Sequence, residues 1–430
     1  MSLKKICLCL CISLSLLVPV SESPVVNAYS SSEVSKTEAI AAALYHVKLD
    51  QTVNQQSAWK DKNVTALEPI EVFDASNELH SYIVNLHIGE EPSGYVEIRN
   101  NKNDFPISSY SYSANNTEFE EEAMEDLTIA DSKVGMASID SLDSLKKVKT
   151  KKVVWLAPGK FGAKVDYTDG SADLIAENKL KSIPSSENTL LPQAEKTVNS
   201  ESQQTWDEIE LLASAISLKQ IGTDTDGVTD SIMFEYNNPY SSINSIYYNG
   251  VTDENQWNSS LWTGLSGCAP TSAYNILYYW HFSRGKSNLL MKDSNGNIDK
   301  DQTMLLLRNC MQTNDTGDTS IYNQASGIQM AARGRKYYGA TATLHTNASW
   351  STVKSDLSYG PSIISFFNQT YYRDHSVTGV GYIEFIRNGN SSGHQYMEVY
   401  DNTAVTPGAS VYISYGQNYS SIYSINFSID

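Results

Sequence analysis

Three stretches of the 430-residue chain hold side chains that could make and break bonds. In Gly267-Cys268-Ala269-Pro270-Thr271-Ser272 the proline suits the first turn of a helix, where its missing N–H costs nothing. Cys268 then stands at a helix N-terminus, where unpaired backbone N–H groups and the positive end of the dipole favour the nucleophilic thiolate. In Asp374-His375-Ser376-Val377-Thr378-Gly379-Val380-Gly381-Tyr382, His375 opens an alternating strand whose glycines let a helix or another backbone come close. A histidine there is placed to take the proton of a helix-borne thiol. In Tyr396-Met397-Glu398-Val399-Tyr400-Asp401-Asn402, Asp401 ends the following strand and would hold the imidazole in one tautomer. Asn402 could do the same, so the choice within this pair stays open.

Each stretch also has a plainer reading. Cys268 could be a buried thiol before an ordinary helix, His375 a histidine at a turn, and Asp401-Asn402 a turn closing a hairpin. His394, at the start of the next strand, is the rival to His375, whereas His281 lies at the far end of the cysteine's helix. His46, His80, His87 and His345 sit in no comparable pattern. Asp293-Ser-Asn295-Gly-Asn297-Ile-Asp299 is an incomplete calcium loop, with Ile298 at its sixth position and no closing glutamate. Asp224-Thr-Asp226-Gly227 is incomplete in the same way. No His/Cys cluster has zinc spacing and no glycine loop is built to cradle phosphate, so no cofactor or metal is expected.

The elements that would position these residues are readable from hydrophobic periodicity. A helix over 31–49 precedes strand-like runs at Ile70–Phe73, Ser81–Leu86, Gly94–Ile98 and Ile107–Tyr112, a small α+β unit. Val153–Leu156 and Ala163–Tyr167 could add strands, and Trp206–Leu218 reads as a helix. Between Lys181 and Gln204 the composition is that of an exposed linker. Four helices then follow, over Ala269–Phe282, Lys300–Met311, Gly327–Tyr338 and Trp350–Tyr359. Five strands follow them, over Ser362–Phe367, Ser376–Phe385, Gln395–Tyr400, Ser410–Ser414 and Ile422–Ile429. A helical half followed by an antiparallel half is an α+β arrangement.

Charge and targeting narrow the function classes. The chain carries a formal net charge of −18, nearly all of it before Phe234, which argues against nucleic-acid binding. Lys4 and Lys5 precede an apolar run from Ile6 to Val18, and Val26-Asn27-Ala28 offers a signal-peptidase site. The run is short for a membrane span. Cys7, Cys9 and Cys11 lie inside it without a lipidation box, so a secreted, soluble product is expected. Its removal leaves Cys268 and Cys310, too few for a disulfide framework.

The Cys268 helix, the His375 strand and the Asp401 strand end together resemble the papain superfamily. Gly-Cys-Ala-Pro-Thr-Ser is similar to the nucleophile box of bacteriocin-processing-peptidase-like cysteine peptidases. Residues 31–115, on Tyr82-Ile-Val-Asn-Leu and Gly94-Tyr-Val-Glu-Ile, resemble the propeptide of streptopain-like precursors. The resemblance implies a papain-like catalytic domain behind a propeptide that covers the cleft, with a peptide or protein as substrate. It also implies a glutamine shortly before the nucleophile to bind the oxyanion. Trp262 stands six residues before Cys268 and the nearest upstream glutamine is Gln256, so that role falls to Gln256 across a longer loop.

The expected organisation is a signal peptide over 1–28, a propeptide-like α+β domain over 29–118, an acidic joining region over 119–233 and a peptidase domain over 234–430. The expected function is that of a secreted cysteine endopeptidase made as a zymogen, acting through Cys268, His375 and Asp401. Alternatives are a cell-wall amidase or acyltransferase using the same chemistry, and a non-catalytic binding protein on the same fold.

Overall fold

The first helix begins where the sequence supplies both halves of a capping box. The Ser35 hydroxyl accepts from the Glu38 N–H, and the Glu38 carboxylate accepts from the Ser35 N–H at 2.7 Å. This helix, α1 (Lys36–Val53), is buried on nearly every side from Ala39 to Gln51. An alanine-rich helix without a polar face must be enclosed, and α1 is packed among strands and a second helix.

The computed structural model describes residues 32–74, 76–113, 148–176, 179–183, 200–219, 240–369, 373–402, 410–416 and 421–430. The expected signal segment and the incomplete loop Asp224-Thr-Asp226-Gly227 lie outside them. The described residues fall in one compact unit, Ser32–Asp430, and none of their helices is long and apolar enough to cross a membrane.

Within the N-terminal part, β1 (Val64–Ala66), β2 (Ile70–Phe73), β3 (Leu79–Ile88), β4 (Glu91–Arg99) and β5 (Ile107–Ser111) form a largely antiparallel sheet. Parallel pairing of β2 with β6 (Val148–Ala157) attaches a second meander, β6, β7 (Lys160–Tyr167), β8 (Ala172–Ala176) and β9 (Lys179–Ile183). Helix α2 (Ser200–Lys219) packs on α1. Residues 119–233 were expected to be a joining region, yet their described part contributes four strands and a helix. The strand-like runs Val153–Leu156 and Ala163–Tyr167 lie within β6 and β7, while β8 and β9 after them were not read from the pattern.

The C-terminal part opens with β10 (Tyr240–Tyr247), followed by α3 (Cys268–Phe282), α4 (Lys300–Met311) and α5 (Ile321–Gly334). Then come β11 (Ala340–His345), α6 (Trp350–Tyr359), β12 (Ser362–Gln369), β13 (Arg373–Arg387), β14 (Asn390–Tyr400), β15 (Val411–Ser414) and β16 (Ser421–Ile429). Strand β13 is the pivot, flanked by β12 and β14 and crossed at its far end by β10. On one face, α3, α4 and α5 bury Ile276, Leu277, Met304, Leu307 and Ile328 against Ile363, Val380 and Phe427. On the other, α6 covers Ile364, Val377, Met397 and Val399.

The two parts share one sheet. Strand β5 pairs with β15 through Ser109–Ile413 and Tyr110–Tyr412, so sixteen strands join into a single array. The rings of Tyr110 and Tyr412 stack across the seam at 4.5 Å, and the Ser111 hydroxyl donates to the Ser410 carbonyl at 2.7 Å.

Candidate active site

Helix α3 starts at Cys268 because of the residues before it. Gly267 takes φ +92°, and a Cβ there would lie 2.3 Å from the Gly317 carbonyl oxygen, so no other residue fits without movement. The buried Arg308 on α4 donates to the carbonyls of Leu265 and Ser266 at 3.0 and 2.8 Å, fixing the approach to the helix. Thr271 closes the first turn, its N–H and hydroxyl both donating to the Gly267 carbonyl. Ala269 and Pro270 are buried below the cysteine, and Cys268 itself is partly covered.

The long loop before Cys268 folds back on itself. Asn258 bridges Leu265, the Ser266 N–H donates to the Trp257 carbonyl, and the Ser266 hydroxyl accepts from the Trp257 N–H. With its base closed, residues 257–266 form an excursion that lets Gln256 lie near Gly267 despite the distance in sequence.

The segments that carry the four residues singled out in the sequence are joined through Asn402. Its Nδ2 donates to the Cys268 carbonyl at 3.2 Å, to the Ser272 hydroxyl at 2.6 Å and to the Ser376 carbonyl at 3.0 Å. Its Oδ1 accepts from Asn275 Nδ2 at 3.2 Å and from the Thr378 hydroxyl at 3.0 Å. Its own carbonyl accepts the Gln256 N–H at 2.9 Å. Cys268 and Gln256 therefore touch Asn402 directly, His375 is one residue from the Ser376 that does, and Asp401 immediately precedes it. Asn402 is fully buried and takes φ +61°, a left-handed conformation that asparagine tolerates better than most residues.

His375 is buried at the start of β13, paired with Phe366 of β12. Asp401 is partly exposed, and its charge reaches the phenol of Tyr95 on β4. The amide of Asn402 is bonded to the helix and to the strand. His394, the rival base, lies away from this point, buried among Tyr45, Phe105 and Tyr240.

The electrostatics of Cys268 reflect enclosure. Burial pushes its thiol up, opposed by hydrogen bonds from the backbone and hydroxyl of Ser376, by one from the Ala269 backbone and by the charge of Lys160. Lys160 opens β7 at the tip of the β6–β7 hairpin and is itself buried. Beside it, a Cβ on Gly159 would lie 2.9 Å from Cγ1 of Val411 on β15. The charge of an N-terminal hairpin thus acts on Cys268, a feature that Lys160 alone gives no reason to expect. Among the described residues no group of His, Cys, Asp and Glu is arranged to hold a metal ion.

Residues 248–422, which contain Gln256, Cys268, His375 and Asp401, match the model of the Peptidase_C39 like family. This part of the chain is similar to that peptidase family. The match spans less than half of the chain and leaves the N-terminal sheet outside it. No curated protein matches the chain. The solved structure of a prointerpain A fragment from Prevotella intermedia, a cysteine-to-alanine mutant, aligns at 13% identity over 64% of this chain and 98% of that one. The TM-score of 0.27 is too low for that alignment to guide the reading of the site.

Proposed function

We propose that the protein is a secreted cysteine endopeptidase held as a zymogen, with Cys268 as nucleophile, His375 as base and Asp401 as the group that orients it. The observation that carries this reading is the meeting of Cys268, Gln256 and the starts and ends of the His375 and Asp401 strands around one buried side chain. A helix N-terminus, a strand-borne histidine and a loop amide have little structural reason to be brought together with such detail. Acyl chemistry gives a reason.

In the reaction, His375 takes the Cys268 proton and the thiolate attacks the peptide carbonyl carbon. The oxyanion that forms is held by the Cys268 N–H and the Gln256 side-chain amide. As the C–N bond breaks, His375 returns the proton to the leaving amine, which leaves a thioester on Cys268. Water, deprotonated by His375, then attacks the thioester and releases the acid and the thiol. No cofactor enters these steps.

Latency is supported by the hairpin tip at Gly159 and Lys160, by the partly covered thiol, and by the shared sheet across β5 and β15. The N-terminal part acts as the propeptide, an intramolecular inhibitor lying over the cysteine. Its removal requires a cut in the stretch between Lys181 and Phe234, much of which lies outside the described residues.

The test follows residues 29–430 by intact mass over time, beside Cys268→Ala and with a thiol-directed probe. The parent is expected to shorten to a stable C-terminal fragment that labels at Cys268, while the variant stays whole. If neither chain shortens, and Cys268 resists the probe after an added protease has trimmed the N-terminal part, the peptidase reading fails.

A further inference from the structure

The structure assigns Asn402 as the positioning residue of the active site: its side chain sets the nucleophile's helix and the base's strand in register, and its main chain holds the oxyanion loop to both. This rests on the peptidase reading above and adds a residue that the triad does not include.

The argument begins with how completely the amide is used. A primary amide offers two donor hydrogens and two acceptor lone pairs. In Asn402 the oxygen faces two donors, Asn275 Nδ2 and the Thr378 hydroxyl, and the nitrogen faces three acceptors. The partners belong to both elements that matter: Cys268, Ser272 and Asn275 on α3, and Ser376 and Thr378 on β13. Ser272 and Asn275 lie one and two turns along the helix from Cys268, so the contacts fix both its axial shift and its rotation. The third element is held through the main chain, because the Gln256 N–H ends on the Asn402 carbonyl.

Burial makes the arrangement stiff. Asn402, Asn275, Ser272 and Thr378 are all 0% exposed, so each hydrogen bond forms without competition from water. Leaving any of these groups unpaired would carry the desolvation cost of a buried polar atom. A residue used only to fill space here would be apolar, since each partner could then be apolar too. The network makes sense where geometry, rather than stability alone, is at stake, because misplacing reacting groups by about an ångström can cost on the order of a hundredfold in rate. The left-handed backbone explains why asparagine supplies the amide: glutamine is longer and adopts φ +61° less readily.

Two substitutions separate positioning from mere support. Asn402→Gly accepts the left-handed backbone and removes the amide. Thr378→Val keeps shape and β-branching and removes one donor to Oδ1. Both are made in the full chain and assayed on a fluorogenic peptide after the chain has been allowed to trim, with kcat and KM determined separately. Iodoacetamide labelling of Cys268 is followed across pH in parallel, and folding is checked by thermal melting.

Asn402→Gly is expected to lower kcat about thirtyfold to a hundredfold with KM within about threefold, and Thr378→Val to lower kcat about threefold to tenfold. The pH midpoint of Cys268 labelling should move in Asn402→Gly. A folded Asn402→Gly with kcat and labelling midpoint within threefold and 0.2 pH units of the parent, by the order-of-magnitude criterion used here, would overturn the assignment. If Asn402→Gly fails to fold, Thr378→Val decides: an unchanged kcat and midpoint rejects the role. If the parent hydrolyses no peptide, the peptidase reading fails by itself. The positioning of the thiol then stands or falls on whether the labelling midpoint moves.

Discussion

Arg308 shows how much the approach to Cys268 depends on a side chain from a neighbouring helix. Its guanidinium caps two successive carbonyls ahead of Cys268 and a third, from Asn314, and it lies within 5.7 Å of the Trp262 ring. A lysine could not span these acceptors from one planar fork. Arg308→Lys should therefore lower stability by about 1–3 kcal/mol and reduce kcat further than the melting temperature alone explains. Urea unfolding beside peptide kinetics tests this, and an unchanged kcat in a destabilised protein would reject the second half. Gln256→Ala should lower kcat by about a hundred- to a thousandfold with little change in KM, the signature of a lost oxyanion donor. A pure KM effect would remove Gln256 from that role. At this scale the sequence was informative about residue type and silent about partners. Cys268 was legible because a proline two residues later marks a helix start. The convergence on Asn402 was not, since it joins residues as distant in sequence as Gln256 that only the folded sheet brings together.

Among the elements, α1 carries the clearest pH signature. His46 is wholly buried among Trp59, Tyr110, Phe385 and Tyr396, and burial takes its imidazole down to about 3. His394 on β14 stacks on Tyr45 of the same helix. Burial, then the nearby His46 and Arg387, lower it as well. Arg387 is paired with Glu208 of α2, which also accepts from the Tyr45 hydroxyl. A neutral histidine with a depressed native value stabilises fully above about 6.5, and this contribution is lost as the pH falls towards about 3. Asp50 on the same helix runs the other way: burial raises it to about 6, so acidification relieves its cost. The comparison that isolates the histidine is His46→Leu against the parent. The stability difference should move in the variant's favour by up to about 1.4 kcal/mol per pH unit between pH 6.5 and 4. A difference that stays flat across that range would show that His46 does not titrate with unfolding.

The same scale shows where periodicity misled. Strand β10 alternates Ser, Asn and Tyr with most positions open to solvent, so no apolar face announced it. Helix α5 was expected to start at Gly327, but it begins six residues earlier at Ile321. The glycine marks a crossing rather than an end: a Cβ there would lie 2.3 Å from Cγ of Met311 on α4. Close packing between helices, which the local pattern does not encode, put it in mid-helix. Helices α3 and α4 and the core strands β12 and β16 were read nearly to the residue.

For the whole molecule, the seam between β5 and β15 determines how firmly the N-terminal part is held. Tyr110 is its anchor, fully buried and in contact with Tyr412, Tyr396, His46 and Trp59. Tyr110→Ala should cost about 3–5 kcal/mol and raise the labelling rate of Cys268 in the uncut chain. Unfolding and probe kinetics on the same sample would measure both, and a destabilised variant whose cysteine labels no faster would separate the seam from latency.

Backbone pairing also changes what a proteolytic cut would accomplish. A flap held by side chains leaves once its tether is severed, whereas a block of strands hydrogen-bonded into a continuous sheet remains until that sheet parts. A nicked chain should therefore give two bands under denaturing conditions and a single species on a sizing column. Activity would then lag behind the nick by the time the halves take to separate, and mild urea or acid would shorten that delay without cutting another bond.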